Sequence, residues 1–162
     1  MQKTDKMVNF HDGGQVFSLR SSCVCLRKDE VLLFYYPKVD LWSLPGGRCN
    51  LLEDTLMAVK REFVEEMGEE INVQRLLWVV ENFFNMKGEN YHELLFIYLA
   101  ELRNNSKIVQ KDEFYAIEGE VQMPCKWVKI KDLGKYNLLP KFLIEKLANI
   151  PDTIEHIVNV DE

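Results

Sequence analysis

The alternation of apolar and polar residues changes period several times along the chain, and each change marks an element. Residues 16–26 and 31–36 are rich in β-formers, and the polar run Arg27-Lys28-Asp29-Glu30 separates them, which predicts a hairpin. Leu41-Trp42-Ser43-Leu44 reads as a short strand that Pro45-Gly46-Gly47 must break. The period then becomes helical. Leu56, Val59, Phe63 and Met67 recur at helical spacing as the buried stripe, flanked by Ala58 and Val64. Asp54 suits the N-cap of that helix, and Gly68 suits the left-handed residue that stops it.

Residues 73–84 and 91–102 read as two further strands joined by a turn at Met86-Lys87-Gly88-Glu89-Asn90. Residues 122–130 predict another strand, and 140–148 a helix with Pro140 in its first turn. The stretch 154–160 reads as a short strand or a tail. Hairpins dominate and regular βαβ alternation is absent. The expected class is therefore α+β, layered, with a mixed sheet. Residues 1–15 read as a polar tail and 16–162 as one domain.

Composition narrows the function. With 47% hydrophobic and 28% charged residues over 162 positions, the chain has material for a proper core. Its 20 basic and 26 acidic residues give a net charge of −6, which argues against DNA, RNA or anionic membrane as partners. A small phosphate ligand remains open if a metal ion brings the positive charge. Cys23, Cys25, Cys49 and Cys125 form no C-x-x-C pair, and His11, His92 and His156 are scattered, so zinc is not expected. The cysteines read as reduced thiols. No signal-peptide core and no membrane-length apolar run occurs, and the expected location is the cytoplasm.

The chemistry concentrates in residues 47–68. Glu62, Glu65 and Glu66 stand at i, i+3 and i+4, so three carboxylates project from one helical face. They repel one another near the C-terminal end of the helix, where the macrodipole also disfavours negative charge. A solvated acidic face is the bland explanation. A bound divalent cation, Mg²⁺ or Mn²⁺ for a hard oxygen set, relieves the repulsion. Pro45-Gly46-Gly47 lets the backbone approach a ligand, Glu53 sits in the loop entering the helix, and Arg61 carries a fork able to hold a carboxylate.

Gly47, Glu53, Arg61, Glu62, Glu65, Glu66 and Gly68 together resemble the Nudix box, G-x5-E-x7-R-E-U-x-E-E-x-G-U with U apolar. All seven fixed letters fall at the right spacing, an accident on the order of one in a million at ordinary residue frequencies. Two positions depart from the pattern: the last U is Glu69, with Ile71 two residues on, and Leu52 stands where many members have Gly.

The resemblance implies a Nudix-like α/β/α sandwich and metal-dependent hydrolysis of a pyrophosphate bond in a small nucleotide. The implied substrate is a nucleoside diphosphate linked to another moiety: an oxidised or ordinary nucleoside triphosphate (slightly preferred), ADP-ribose, a nucleotide sugar or a dinucleoside polyphosphate. It further implies Glu62 and Glu66 as main metal ligands, Glu65 supporting, the Gly47 carbonyl completing the set, and Glu53 and Arg61 orienting the carboxylates. Glu65 or Glu66 is the first choice of general base, and Glu93, at the start of an otherwise apolar strand, the best choice outside the box. Arg48, Gly46, Gly47 and Phe83 are the expected substrate contacts. Tyr35, Tyr36, Trp42, Trp78 and Phe84 are further stacking candidates, and Asn82 and Asn137 base-edge candidates. A homodimer is common among such proteins. The alternative is a non-catalytic nucleotide-sensing module, which the intact set of carboxylates disfavours.

Overall fold

Residues 5–161 are described in a computed structural model of the chain. In chain order its strands are β1 (Asn9–Asp12), β2 (Gln15–Arg27), β3 (Glu30–Tyr36), β4 (Leu41–Ser43), β5 (Gly46–Arg48), β6 (Ile71–Met86), β7 (Glu89–Leu102), β8 (Glu113–Glu118), β9 (Val121–Lys129) and β10 (Glu155–Asp161). Helix α1 (Thr55–Met67) separates β5 from β6, and the single-turn α2 (Leu143–Lys146) precedes β10.

The strands form one mixed sheet in the order β10-β6-β7-β2-β3-β9-β8. The hairpin of β6 and β7 is its most extensively paired unit. It turns on Lys87 and Gly88, both at positive φ, the backbone that matches the right-handed twist of paired strands. β10 joins β6 in parallel and β2 joins β7 in parallel. β2 and β3 are the predicted hairpin, but they stay paired over only two positions, Leu26↔Val31 and Arg27↔Glu30, and then diverge. β2 is recruited by β7 along Gln15–Cys25 instead.

Alternation along the strands sorts two cores. Val24, Trp78, Val80, Leu95 and Ile97 face one side and pack with Leu133, Leu143 and Leu147. Cys23, Cys25 and Ala100 face the other and pack with Val59 and Phe63 of α1. A helix on each side of a mixed sheet is the layered α+β arrangement expected.

Several expectations need correction. The strand from Leu41 does end before Pro45-Gly46-Gly47, as β4, but the diglycine pairs anew: Gly46–Arg48 forms β5, antiparallel to β2. Residues 9–12, read as tail, form β1 against β2. The helix expected over 140–148 shrinks to Leu143–Lys146, with 3-10-type turns before it, Leu143 N–H to Pro140 O and Ile144 N–H to Lys141 O. Leu56 is exposed, because the buried side of α1 runs through Ala58, Val59, Phe63 and Glu66. The stretch 154–160 is a strand, β10. The four cysteines are free and buried, with Cys23 and Cys25 side by side, Sγ to Sγ 3.8 Å. Among the described residues no helix is long and apolar enough to cross a membrane.

Candidate active site

Local sequence fixes α1 at both ends. Asp54 Oδ1 accepts the Met57 N–H at 2.8 Å, and Gly68, at φ 68, sends its N–H to Val64 O. Ile71 is buried with Phe63, so it fills the apolar position that Glu69 vacates. Glu69 turns outward and accepts the Lys107 N–H.

Arg61 organises the acidic cluster. A guanidinium has five N–H donors, and all five are used. Nε and one terminal nitrogen clamp Glu53 at 2.8 and 2.9 Å; the other terminal nitrogen reaches Glu62 at 2.8 Å and Glu65 at 3.0 Å; the fifth bond goes to Arg48 O at 3.0 Å. Glu53 is itself braced by the Asn50 N–H. The fork ties loop, diglycine strand and helix into one unit.

Gly47 is required by that unit. A Cβ there would collide with the Glu62 carboxylate, which lies directly on the Gly47 backbone. Gly46, at φ 145, is required by the sheet, since a Cβ would strike Ser21 O and Ser22. Leu52 sits at φ 64 and is exposed, so it occupies the left-handed conformation that favours glycine.

Glu66 differs from its neighbours. It is buried, and its Oε2 has no hydrogen-bond partner. Burial first, and then the Glu62 charge, push its carboxyl up to about 8, against the pull of Arg20. Burial also raises Glu62, with Arg61 opposing. Among the described residues no three His, Cys, Asp or Glu side chains already converge as a metal set. Glu62 and Glu65 are turned onto Arg61 instead. Yet the residues fit a hard divalent cation. The fork uses Glu62 Oε1 and Glu65 Oε2 and leaves each a second oxygen, and the orphaned Glu66 Oε2 is the kind of buried acceptor that a cation satisfies.

Beside the cluster lies a cavity of about 340 Å³ on the far side of β2 from α1. Tyr36, Leu41, Phe84, Leu139 and Pro140 give it apolar walls, and Arg20, Asn82, Glu93 and Glu118 add polar groups. Arg20, Tyr36 and Glu118 all act electrostatically on Glu66, which joins the cavity to the box.

The predicted contacts divide by strand parity. Asn82 and Phe84 of β6 face the cavity, so Phe83 must face away, and it stacks on His92 with ring centres 4.5 Å apart. Phe83 is thus corrected as a wall residue. Trp78 is core, Tyr35 packs on Trp42 outside the cavity, and Asn137 bonds to Asp40 O. Glu93 is buried and held by Arg20 and Asn82. Arg48 lies cross-strand from Arg20, and its Nε lacks a partner. Arg20 and Glu118 escaped sequence reading. A lone cation inside the apolar β2 was the available signal for Arg20; Glu118 ends β8, a strand with no clear pattern.

The NUDIX domain family matches residues 17–149. Diphosphoinositol polyphosphate phosphohydrolase 3-alpha of Mus musculus is 33% identical over 115 residues, spanning 66% of this chain and 69% of that protein. Diphosphoinositol polyphosphate phosphohydrolase 2 of Rattus norvegicus is 32% identical, spanning 66% of this chain and 63% of that protein. Among solved structures, an ADP-ribose pyrophosphatase from Streptococcus suis superposes with a TM-score of 0.59 at 18% identity, covering 88% of this chain and 98% of that one. A MutT protein from Bacillus halodurans gives 0.58 at 20%, covering 86% of each chain. The domain match spans most of the sequence and contains every residue of the Arg61 fork, so the chain belongs to the Nudix family and is a Nudix-type pyrophosphohydrolase.

Proposed function

We propose that the protein hydrolyses the pyrophosphate bond of a nucleoside diphosphate carrying a further group, with Mg²⁺ held by Glu62, Glu65 and Glu66 and the Gly47 carbonyl. The observation that carries this reading is Glu66: a buried carboxylate with an unsatisfied oxygen lies within the field of Arg20 and Glu118, which wall an apolar, aromatic-lined cavity. A base between Tyr36 and Phe84 suits such walls.

The relatives' names raise a second substrate class, a diphosphoinositol polyphosphate. A polyphosphorylated ring demands a strongly basic lining. Here Arg20, Lys38 and Lys87 are matched by Glu93, Glu118 and Asp161. The balance favours the nucleoside.

Glu62, Glu65 and Glu66 would hold a divalent cation, which would supply positive charge to the pyrophosphate and would lower the pKa of the attacking water. The chain's own residues do the rest. Arg61 and Glu53 hold Glu62 and Glu65 in fixed orientation. Arg20 and Arg48, adjacent across β2 and β5, meet the phosphates. Glu65, the exposed carboxylate of the three, takes the proton of the attacking water as the water oxygen bonds phosphorus and the bridging P–O bond breaks. Glu93 is less suited as base, because Arg20 and Asn82 already occupy it.

The test is turnover of ADP-ribose, UDP-glucose, dGTP and a diphosphoinositol pentakisphosphate, with Mg²⁺ and with EDTA, and identification of the products. Metal-dependent cleavage of a nucleotide supports the reading. Preferential cleavage of the inositol compound transfers the site to the second class, and a catalytically silent protein that still binds nucleotide makes it a sensing module.

A further inference from the structure

A buried polar chain crosses the sheet where apolar residues are expected. Asn159 of β10, Asn82 of β6 and Glu93 of β7 stand in register, Asn159↔Asn82 and Asn82↔Glu93, and all three are buried. Asn159 Nδ2 donates to Asn82 Oδ1 at 2.8 Å, and Asn82 Nδ2 donates to Glu93 Oε1 at 3.2 Å. Glu93 Oε2 pairs with Arg20 Nε at 3.7 Å, and an Arg20 terminal nitrogen donates to Gly46 O at 3.3 Å. The chain therefore runs from the last strand to the diglycine that supports Glu62.

Its direction is fixed by chemistry. An ionised Glu93 only accepts, so Asn82 must present its NH₂ to it and its oxygen to Asn159. Asn159 is thereby forced to donate. Two asparagines inside strands carry poor β-propensity and a desolvation cost, which a satisfied network offsets but an apolar pair would avoid. Asn159 does not line the cavity; Arg20 does, with part of its side chain still accessible there.

We propose, resting on the pyrophosphohydrolase reading above, that Asn159, Asn82 and Glu93 are positioning residues that hold Arg20 at the junction of cavity and box, where its guanidinium contacts a substrate phosphate. Arg20 is the catalytic contact; the other three act through it. Glu93 is then a brace, not the base.

The experiment is a double-mutant comparison on whichever of ADP-ribose, UDP-glucose and dGTP the wild type cleaves fastest with Mg²⁺. Asn159→Asp keeps the shape but cannot donate to Asn82, and Glu93→Gln keeps the shape but removes the charge that holds Arg20. Loss of one charge-assisted contact is expected to lower kcat/KM about a hundredfold in Arg20→Ala. A misplaced Arg20 is expected to cost about tenfold in Asn159→Asp and in Glu93→Gln, mainly through KM. In the Arg20→Ala background neither change should lower activity further. A merely structural network predicts the opposite, the same tenfold loss with or without Arg20, and that result overturns the proposal. So does wild-type activity in Asn159→Asp. Should Asn159→Asp fail to fold by thermal melting, Glu93→Gln carries the same comparison. A wild type that cleaves no nucleotide overturns the functional reading itself and is distinguishable from an active wild type with additive variants.

Discussion

Gly47 and Leu52 show how narrowly single residues shape the site. Gly47 leaves room for the Glu62 carboxylate, and its backbone is not in the left-handed region, so alanine is tolerated by the chain and not by the carboxylate. Gly47→Ala should change stability by less than about 1 kcal/mol, since only a side-chain end must move. It should lower kcat/KM by roughly a hundredfold through displacement of Glu62. Steady-state kinetics beside a thermal melt separates the two effects. Leu52 is the reverse case, an exposed side chain in a conformation that costs L-residues energy. Leu52→Gly should raise stability by roughly 0.5–1 kcal/mol, the left-handed penalty less glycine's entropy, with turnover unchanged. Denaturant unfolding checks it; a lower midpoint means that Leu52 makes contacts worth more than the strain.

At the scale of elements, the helix, its entering loop and β5 act as one part because Arg61 directs every donor to them. Lysine keeps the charge and loses the fork. Arg61→Lys should therefore weaken Mn²⁺ binding by about 10–100-fold, measured by titration, while the helix content is kept. Much of this was legible in advance. Asp54 and Gly68 bounded α1 correctly, and the Lys87-Gly88 turn announced the β6–β7 hairpin. Illegible parts had physical reasons. β8 alternates weakly because Tyr115 and Ile117 are apolar and exposed, so its pattern names no buried face. β5 is hidden because its two glycines signal a break, and only the partner β2 makes them a strand. The Asn159–Asn82–Glu93 chain joins residues up to 77 positions apart, and only strand register reveals it.

At the scale of the molecule, the sheet separates two cores, and Glu66 is buried on the inner side of α1 within the field of Arg20 and Glu118 from the cavity wall. Glu66 therefore ties stability to pH. Its folded-state value near 8 lies above that of an exposed carboxyl at 4.5, so folding favours its proton. That contribution is fully present below pH 4.5 and is lost as pH rises from there through about 8. The metal-free protein should consequently lose thermal stability between pH 5 and pH 8, by an amount on the order of a few kcal/mol from this group. A flat profile in EDTA contradicts the burial of Glu66. Added Mg²⁺ should restore stability most at the upper end of the range, where the carboxylate is ready to bind it.

One comparison bears on the whole account: kcat/KM of wild type and Glu66→Gln on the preferred nucleotide, each with Mg²⁺ and with EDTA. Glutamine keeps the shape and removes the charge. The expected result is Mg²⁺-dependent turnover in the wild type, abolished by EDTA, and a loss on the order of 10²–10³ in the variant, the scale for removing one transition-state electrostatic contribution. Equal turnover in Glu66→Gln, or turnover that survives EDTA, contradicts a metal-dependent centre built on this carboxylate.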